Sequence, residues 1–225
     1  FFTPAPCPSD VPAADFGLGT LDANTAISLI GDGEVILKPA SGAEFSGSAL
    51  PGDWQSAAWS GGSTPTVGGG LLTVNGGHAA TTATFGPGRS IEFVATFAAE
   101  ANQHIGFTAD FAFNSPWALF STFNSATGLC ARVNSPGGST DTLISSSLLG
   151  SPHRYRIDWT ATTFVFYVDG VQVATMTKTV GANMVPIVSD FSVGGPAVTV
   201  DWLRLSPYSA SGSYTSRVFD SGGVT

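Results

Sequence analysis

Between residues 44 and 208, apolar side chains recur at every second position in short runs, and Gly, Pro or Asn separates one run from the next. That period sends neighbouring side chains to opposite faces of an extended chain, so each run is predicted as a half-buried strand. In the run 104–111, Ile105, Phe107, Ala109 and Phe111 share one face, predicted as core, and His104, Gly106, Thr108 and Asp110 share the other. Further strands are predicted at 71–74, 90–98, 118–123, 129–133, 154–160, 164–168, 171–177 and 198–205. Asp169-Gly170 separates two of these runs and is a pair suited to a two-residue hairpin turn, where both positions take positive φ. A second hairpin is predicted where 25–30 and 34–37 flank Gly31-Asp32-Gly33. Many short strands at this spacing predict an all-β fold, a sandwich or a barrel.

Composition narrows the picture. Charged residues make up 11% of the chain, few for long surface helices, whereas the abundant Gly, Thr, Ser, Val and Phe suit strands and turns. The expected organisation is an N-terminal extension with a hairpin (1–39), a main domain (40–208), and a small-residue linker after Tyr208 leading to a strand that starts a further unit (209–225). A polypeptide larger than these 225 residues is therefore expected. Eight Lys and Arg against 16 Asp and Glu give a net charge of -8, which leaves no basic face for a nucleic-acid backbone or an anionic lipid surface. No run reaches the roughly 18 apolar residues of a spanning helix, so no membrane insertion is expected. Cys7 and Cys130 are compatible with one disulfide in an exported protein and equally with two free thiols. Gly68-Gly69-Gly70 lacks the Lys-Ser/Thr of a phosphate loop and reads as a turn.

Three stretches carry a family resemblance. His153-Arg154-Tyr155-Arg156-Ile157-Asp158-Trp159-Thr160, followed by Phe166-Tyr167-Val168-Asp169-Gly170, resembles a hairpin of family 16 glycoside hydrolases and of related concanavalin A-like lectin/glucanase and laminin G-like domains. Glu44-Phe45-Ser46-Gly47-Ser48 with Trp54 resembles that family's opening segment, and Val200-Asp201-Trp202-Leu203-Arg204-Leu205 its closing strand. The resemblance implies a jelly roll, a two-sheet antiparallel β-sandwich whose concave sheet holds a sugar cleft lined by aromatic rings. In the hydrolases, three carboxylates at alternate positions of one strand after a Trp supply nucleophile, orienting group and acid/base. The counterpart here is Trp117-Ala118-Leu119-Phe120-Ser121-Thr122-Phe123, with Ala118, Phe120 and Thr122 expected to face the cleft. None can carry negative charge, so hydrolysis by the family mechanism is not expected. A register one strand away places His104, Gly106, Thr108 and Asp110 there, with a single carboxylate. Gln103-His104-Ile105 is loosely similar to a strand of alginate lyases, without an accompanying Arg/Glu-rich strand.

The resemblance also implies a structural Ca²⁺ on the convex side, ligated by Asp201 and by backbone carbonyls at Glu44 and Gly70. A solvated or turn-bonded Asp201 is the alternative. Trp159 and Trp202 are expected to be structural, whereas Trp117 and Trp59 stand beside loops where a ring can face a ligand. His104, Asp110, Arg132 and Asn134 are candidates for hydrogen bonds to sugar hydroxyls, although a half-solvated sheet also places polar residues there without a ligand. The leading expectation is a non-catalytic, extracellular carbohydrate-binding module of a larger secreted or surface protein. Two alternatives stay open. One is a structural, adhesive or filament-forming domain that joins neighbouring domains or subunits through edge strands. The other is a divergent glycan hydrolase or lyase with Asp110, His104 and Glu92 as the first suspects.

Overall fold

The computed structural model describes residues 9–124 and 127–219. They fall into two compact units, one within residues 41–206 and a smaller one built from the described parts of both chain ends, 9–40 and 207–219. In chain order the elements are α1 (Ala13–Phe16), β1 (Thr20–Leu21), β2 (Thr25–Ser28), β3 (Glu34–Leu37), β4 (Pro39–Ala43), β5 (Trp54–Ala58), β6 (Thr66–Gly68), β7 (Leu71–Val74), β8 (Gly77–Thr81), β9 (Arg89–Thr96), β10 (Gln103–Thr108), β11 (Trp117–Ser121), β12 (Leu129–Ser135), β13 (Gly138–Ser145), β14 (His153–Trp159), β15 (Thr163–Val168), β16 (Val171–Thr177), β17 (Val185–Asp190), β18 (Val198–Tyr208) and β19 (Tyr214–Thr215).

The larger unit is the expected sandwich. One sheet runs β13-β12-β11-β10-β17-β8-β5; the other runs β16-β15-β14-β9-β18-β7-β6, with β4 also pairing β18. Period-two alternation fills the space between them. Ile105 and Phe107 of β10, Ala118 and Phe120 of β11, and Ala131 and Val133 of β12 meet Ile91 and Phe93 of β9, Tyr155 and Ile157 of β14, and Phe164 and Phe166 of β15. Phe120 joins the two layers, its ring 4.9 Å from Tyr155 and 5.2 Å from Phe166, centroid to centroid. Each such ring, fully removed from water, contributes about 2–3 kcal/mol of burial. The Asp169-Gly170 turn forms as expected, with φ of 50° and 79° and Val168 opposite Val171.

In the smaller unit, β2 and β3 form a hairpin and β1 pairs with β19. The C-terminal segment expected to begin a further unit thus places Tyr214 opposite Leu21 and Thr215 opposite Thr20. Asp22 braces this closure by accepting from the backbone N–H groups of Asn24 (2.9 Å) and Ser213 (2.8 Å) and from the Thr25 hydroxyl (3.1 Å). Cys7 lies outside the described residues, and with it the Cys7–Cys130 pairing.

Candidate functional site

Strand β11 is the strand that the resemblance sets against the hydrolases' catalytic one, and its orientation differs from the sequence expectation. Ala118 and Phe120 point into the core and are fully buried. Thr122 lies just past the strand, buried, where its Oγ1 accepts the backbone N–H of Gln103 at 3.0 Å. Trp117, Leu119 and Ser121 are the residues on the outer face. Apolar character decides the phase: with Phe120 and Ala118 needed to fill the sandwich, the odd-numbered positions must face out.

Across that outer face the register sets residues in rows. Ala57, His78, Ser189, His104, Ser121 and Cys130 are successive cross-strand partners from β5 to β12. The next row holds Ile187, Gly106, Leu119, Arg132 and Asp141, and a third holds Thr108, Trp117 and Asn134. Among these described strand positions Asp141 is the one carboxylate.

The middle of the face is covered by the chain's own rings. Trp59 lies stacked between His78, at 3.8 Å, and Phe191, at 4.5 Å. Its Nε1–H donates to Ser189 Oγ at 3.1 Å. Phe111 packs on His78 at 4.3 Å, and Phe113 and Phe191 pack on His104 at 5.3 and 5.6 Å. Both faces of Trp59 are therefore occupied, against the expectation that it offers one to a ligand. His104 is buried beneath the same rings, and burial together with the nearby Arg132 charge lowers its pKa to about 3, so the ring is neutral. Its Nδ1 lies 2.8 Å from Ser121 Oγ, which also accepts the Phe123 N–H at 2.9 Å. Phe111 reaches this cover because β10 ends at Thr108, so the predicted alternation stops two residues short of it. Asp110 braces the loop, accepting from Asn114 at its backbone N–H (3.2 Å) and its side-chain amide (2.8 Å).

Toward β13 the face is open. Arg132 lies with its Cζ 4.0 Å from the Phe123 ring centre and 5.1 Å from that of Trp117. Its Nε donates to Asp141 Oδ1 at 2.7 Å. Asn134 stands directly opposite Trp117. Three of the six predicted sugar contacts, Trp117, Arg132 and Asn134, are thus brought together, while His104 and Trp59 belong to the covered cluster and Asp110 to the loop brace. Asp141 and Phe123 were missed. The signal for Asp141 was present, since Arg132 and Asp141 are symmetrically placed about Pro136-Gly137, as cross-strand partners in a hairpin must be.

On the other sheet, Asp201 is exposed at an irregularity of β18, between Val200 and Trp202. Burial and the charge of Glu44 raise its pKa. Glu44 is held at 2.8 Å by Arg204. Gly70 occupies the turn before β7 with φ of 81°. Among the described residues no three His, Cys, Asp or Glu side chains group as a metal site, so a cation there would depend on one carboxylate and main-chain carbonyls. Trp159 is core, as expected; Trp202 is buried on the opposite face under Arg204 and Arg154, 4.5 and 5.7 Å from its ring.

Comparison with known proteins agrees with this architecture. The model of glycosyl hydrolases family 16 matches residues 135–215. A glycosyl hydrolase family protein from Mycobacterium fortuitum superposes with a TM-score of 0.58 at 13% identity, covering 76% of this chain and all of its own. The endo-beta-1,3-glucanase of Pyrococcus furiosus gives 0.57 at 13% identity, over 87% of this chain and all of its own. An immunostimulatory antigen and pseudo beta-1,3-glucanase of Mycobacterium tuberculosis gives 0.55 at 16% identity, over 74% of this chain and 98% of its own. No curated protein sequence matches the chain. The likeness to family 16 is thus met in sequence by the family model and in fold by these jelly rolls.

Proposed function

We propose that this chain is a non-catalytic, extracellular glycan-binding module, with a sugar lying against Trp117 beside Arg132, Asp141 and Asn134. The observation that carries this reading is the Arg132–Asp141 pair held next to the Trp117 ring, on the sheet that the family resemblance makes the cleft. A guanidinium and a carboxylate side by side offer a donor and an acceptor to adjacent hydroxyls, and the ring offers an apolar surface to sugar C–H groups. The lone carboxylate supports binding over hydrolysis, because a retaining mechanism needs a second one about 5–5.5 Å away. The pseudo-glucanase among the structural neighbours shows that the fold occurs in a protein described as a pseudoenzyme. A structural Ca²⁺ at Asp201 belongs to the same reading: a cation would relieve the repulsion between Asp201 and Glu44, with carbonyls such as that of Gly70 completing the oxygen shell.

The test is a polysaccharide pull-down and glycan-array screen of the whole chain, run with calcium and with chelator, with cleavage products assayed on every hit. Binding without cleavage is expected, with Trp117→Ala and Asp141→Asn each weakening it by about tenfold, or ~1.4 kcal/mol. Oligosaccharide release would overturn the non-catalytic reading. Silence on every glycan would overturn the binding reading, and melting temperatures indifferent to calcium would remove the metal.

A further inference from the structure

The smaller unit leaves much of its apolar surface uncovered. Among its described residues only Ser28 is fully buried, while Val11, Leu18, Leu29, Ile30 and Leu37 are exposed. Its hairpin is a sheet of two strands, so β3 is paired along one edge alone among the described residues. The phase of the ladder decides what the other edge offers. Lys38 donates its N–H to Asn24 O, toward β2. Backbone groups alternate sides along an antiparallel strand, so Ile36 also bonds toward β2, and Val35 and Leu37 turn their N–H and C=O groups outward.

We propose that this edge is an interface between two copies of the chain, with β3 of one lying antiparallel to β3 of the other about a two-fold axis at Ile36. In that register Val35 of each copy faces Leu37 of the other, and each pair exchanges two backbone hydrogen bonds. The exposed Glu34 of each copy stands opposite the exposed Lys38 of the other, so two unlike-charge contacts form together. The segment Glu34-Val35-Ile36-Leu37-Lys38 is therefore self-complementary only when antiparallel; a parallel register sets Glu34 beside Glu34 and Lys38 beside Lys38. An unpaired apolar strand edge is a template for a further strand, and this one carries its own matching charges. The interface uses none of the residues of the proposed glycan face.

Sedimentation equilibrium on the full chain tests this, with Glu34→Lys, Lys38→Glu and the double reversal, each checked for an unchanged sandwich melt. A reversible monomer–dimer equilibrium is expected for the wild type. Each single reversal replaces two attractive contacts by two repulsive ones and should raise the dissociation constant by about tenfold. The double reversal restores the pairing and should return it to the wild-type value. A wild type that stays monomeric, single reversals without effect, or a double reversal no better than either single would each overturn the proposal.

Discussion

At the scale of single residues, the buried polar groups around the covered part of the face set how the molecule responds to pH. Asp190 ends β17 with its carboxylate accepting from the Ser192 N–H at 2.9 Å and the Gln103 side-chain amide at 3.2 Å. Burial outweighs both bonds, and the Glu100 charge adds to it, so the pKa rises to about 6. Since the folded value exceeds that of the unfolded chain, the stabilising contribution is complete below about pH 4 and is lost as pH climbs through about 6. His104 works in the opposite direction. Its folded pKa of about 3 lies below the usual imidazole value, so the stability it favours is complete above about pH 6.5 and drains away as the pH falls toward 3. Between about pH 4 and 6 the two contributions oppose each other, so unfolding by denaturant should show stability rising more steeply with pH over that window in the Asp190→Asn variant, where only the His104 contribution is left, than in the wild type. An identical pH dependence in both proteins would mean that Asp190 is not the group responsible. Because Asp190 directly precedes Phe191, the same carboxyl positions one ring of the cover over His104.

At the scale of elements, strands with strong alternation were legible and those without it were not. β9, β14 and β15 follow the predicted runs closely, because each sends every second side chain into the core. β8, β13 and β17 escaped for three different physical reasons. β8 is Gly77-His78-Ala79-Ala80-Thr81, whose small residues carry no periodic signal. β13 is an edge strand with mostly exposed, polar side chains. β17 contains Pro186, which argues against an interior strand, yet β8 pairs it only from Ile187 onward, so the missing N–H falls where the neighbour has ended. The candidate site suffered from these gaps, since Asp141 lies on β13 and His78 on β8. Strand β11 shows the other kind of error, in which the element was found but its phase was reversed. The two phases make opposite forecasts for adjacent residues: Ala118→Asp and Phe120→Asp should abolish the native melt, because an unpaired buried carboxylate costs several kcal/mol. Trp117→Asp and Asn134→Asp should keep it. Native-like melts for the first pair would restore the original phase.

At the scale of the whole molecule, the two units differ in what holds them together. Residues 41–206 enclose a continuous aromatic and aliphatic core between two sheets, whereas the unit of the two chain ends has short strand pairs, the Asp22 brace and the Arg217–Asp10 ion pair at 2.7 Å. That ion pair is partly exposed and adds little. A two-stranded hairpin without a core is at best marginal in water. Hydrogen bonds in β1, β2, β3 and β19 should therefore open locally at a small cost, while those of β9, β10 and β14 open only with the whole sandwich. Native-state hydrogen exchange reads this directly: amides of Ala26, Ser28 and Ile36, which face the β2–β3 ladder, should exchange at least about a hundredfold faster than those of Phe93, Phe107 and Ile157, a gap of ~2.7 kcal/mol or more. Uniform protection across the two groups would show that the chain ends are stabilised by more than the contacts visible between them.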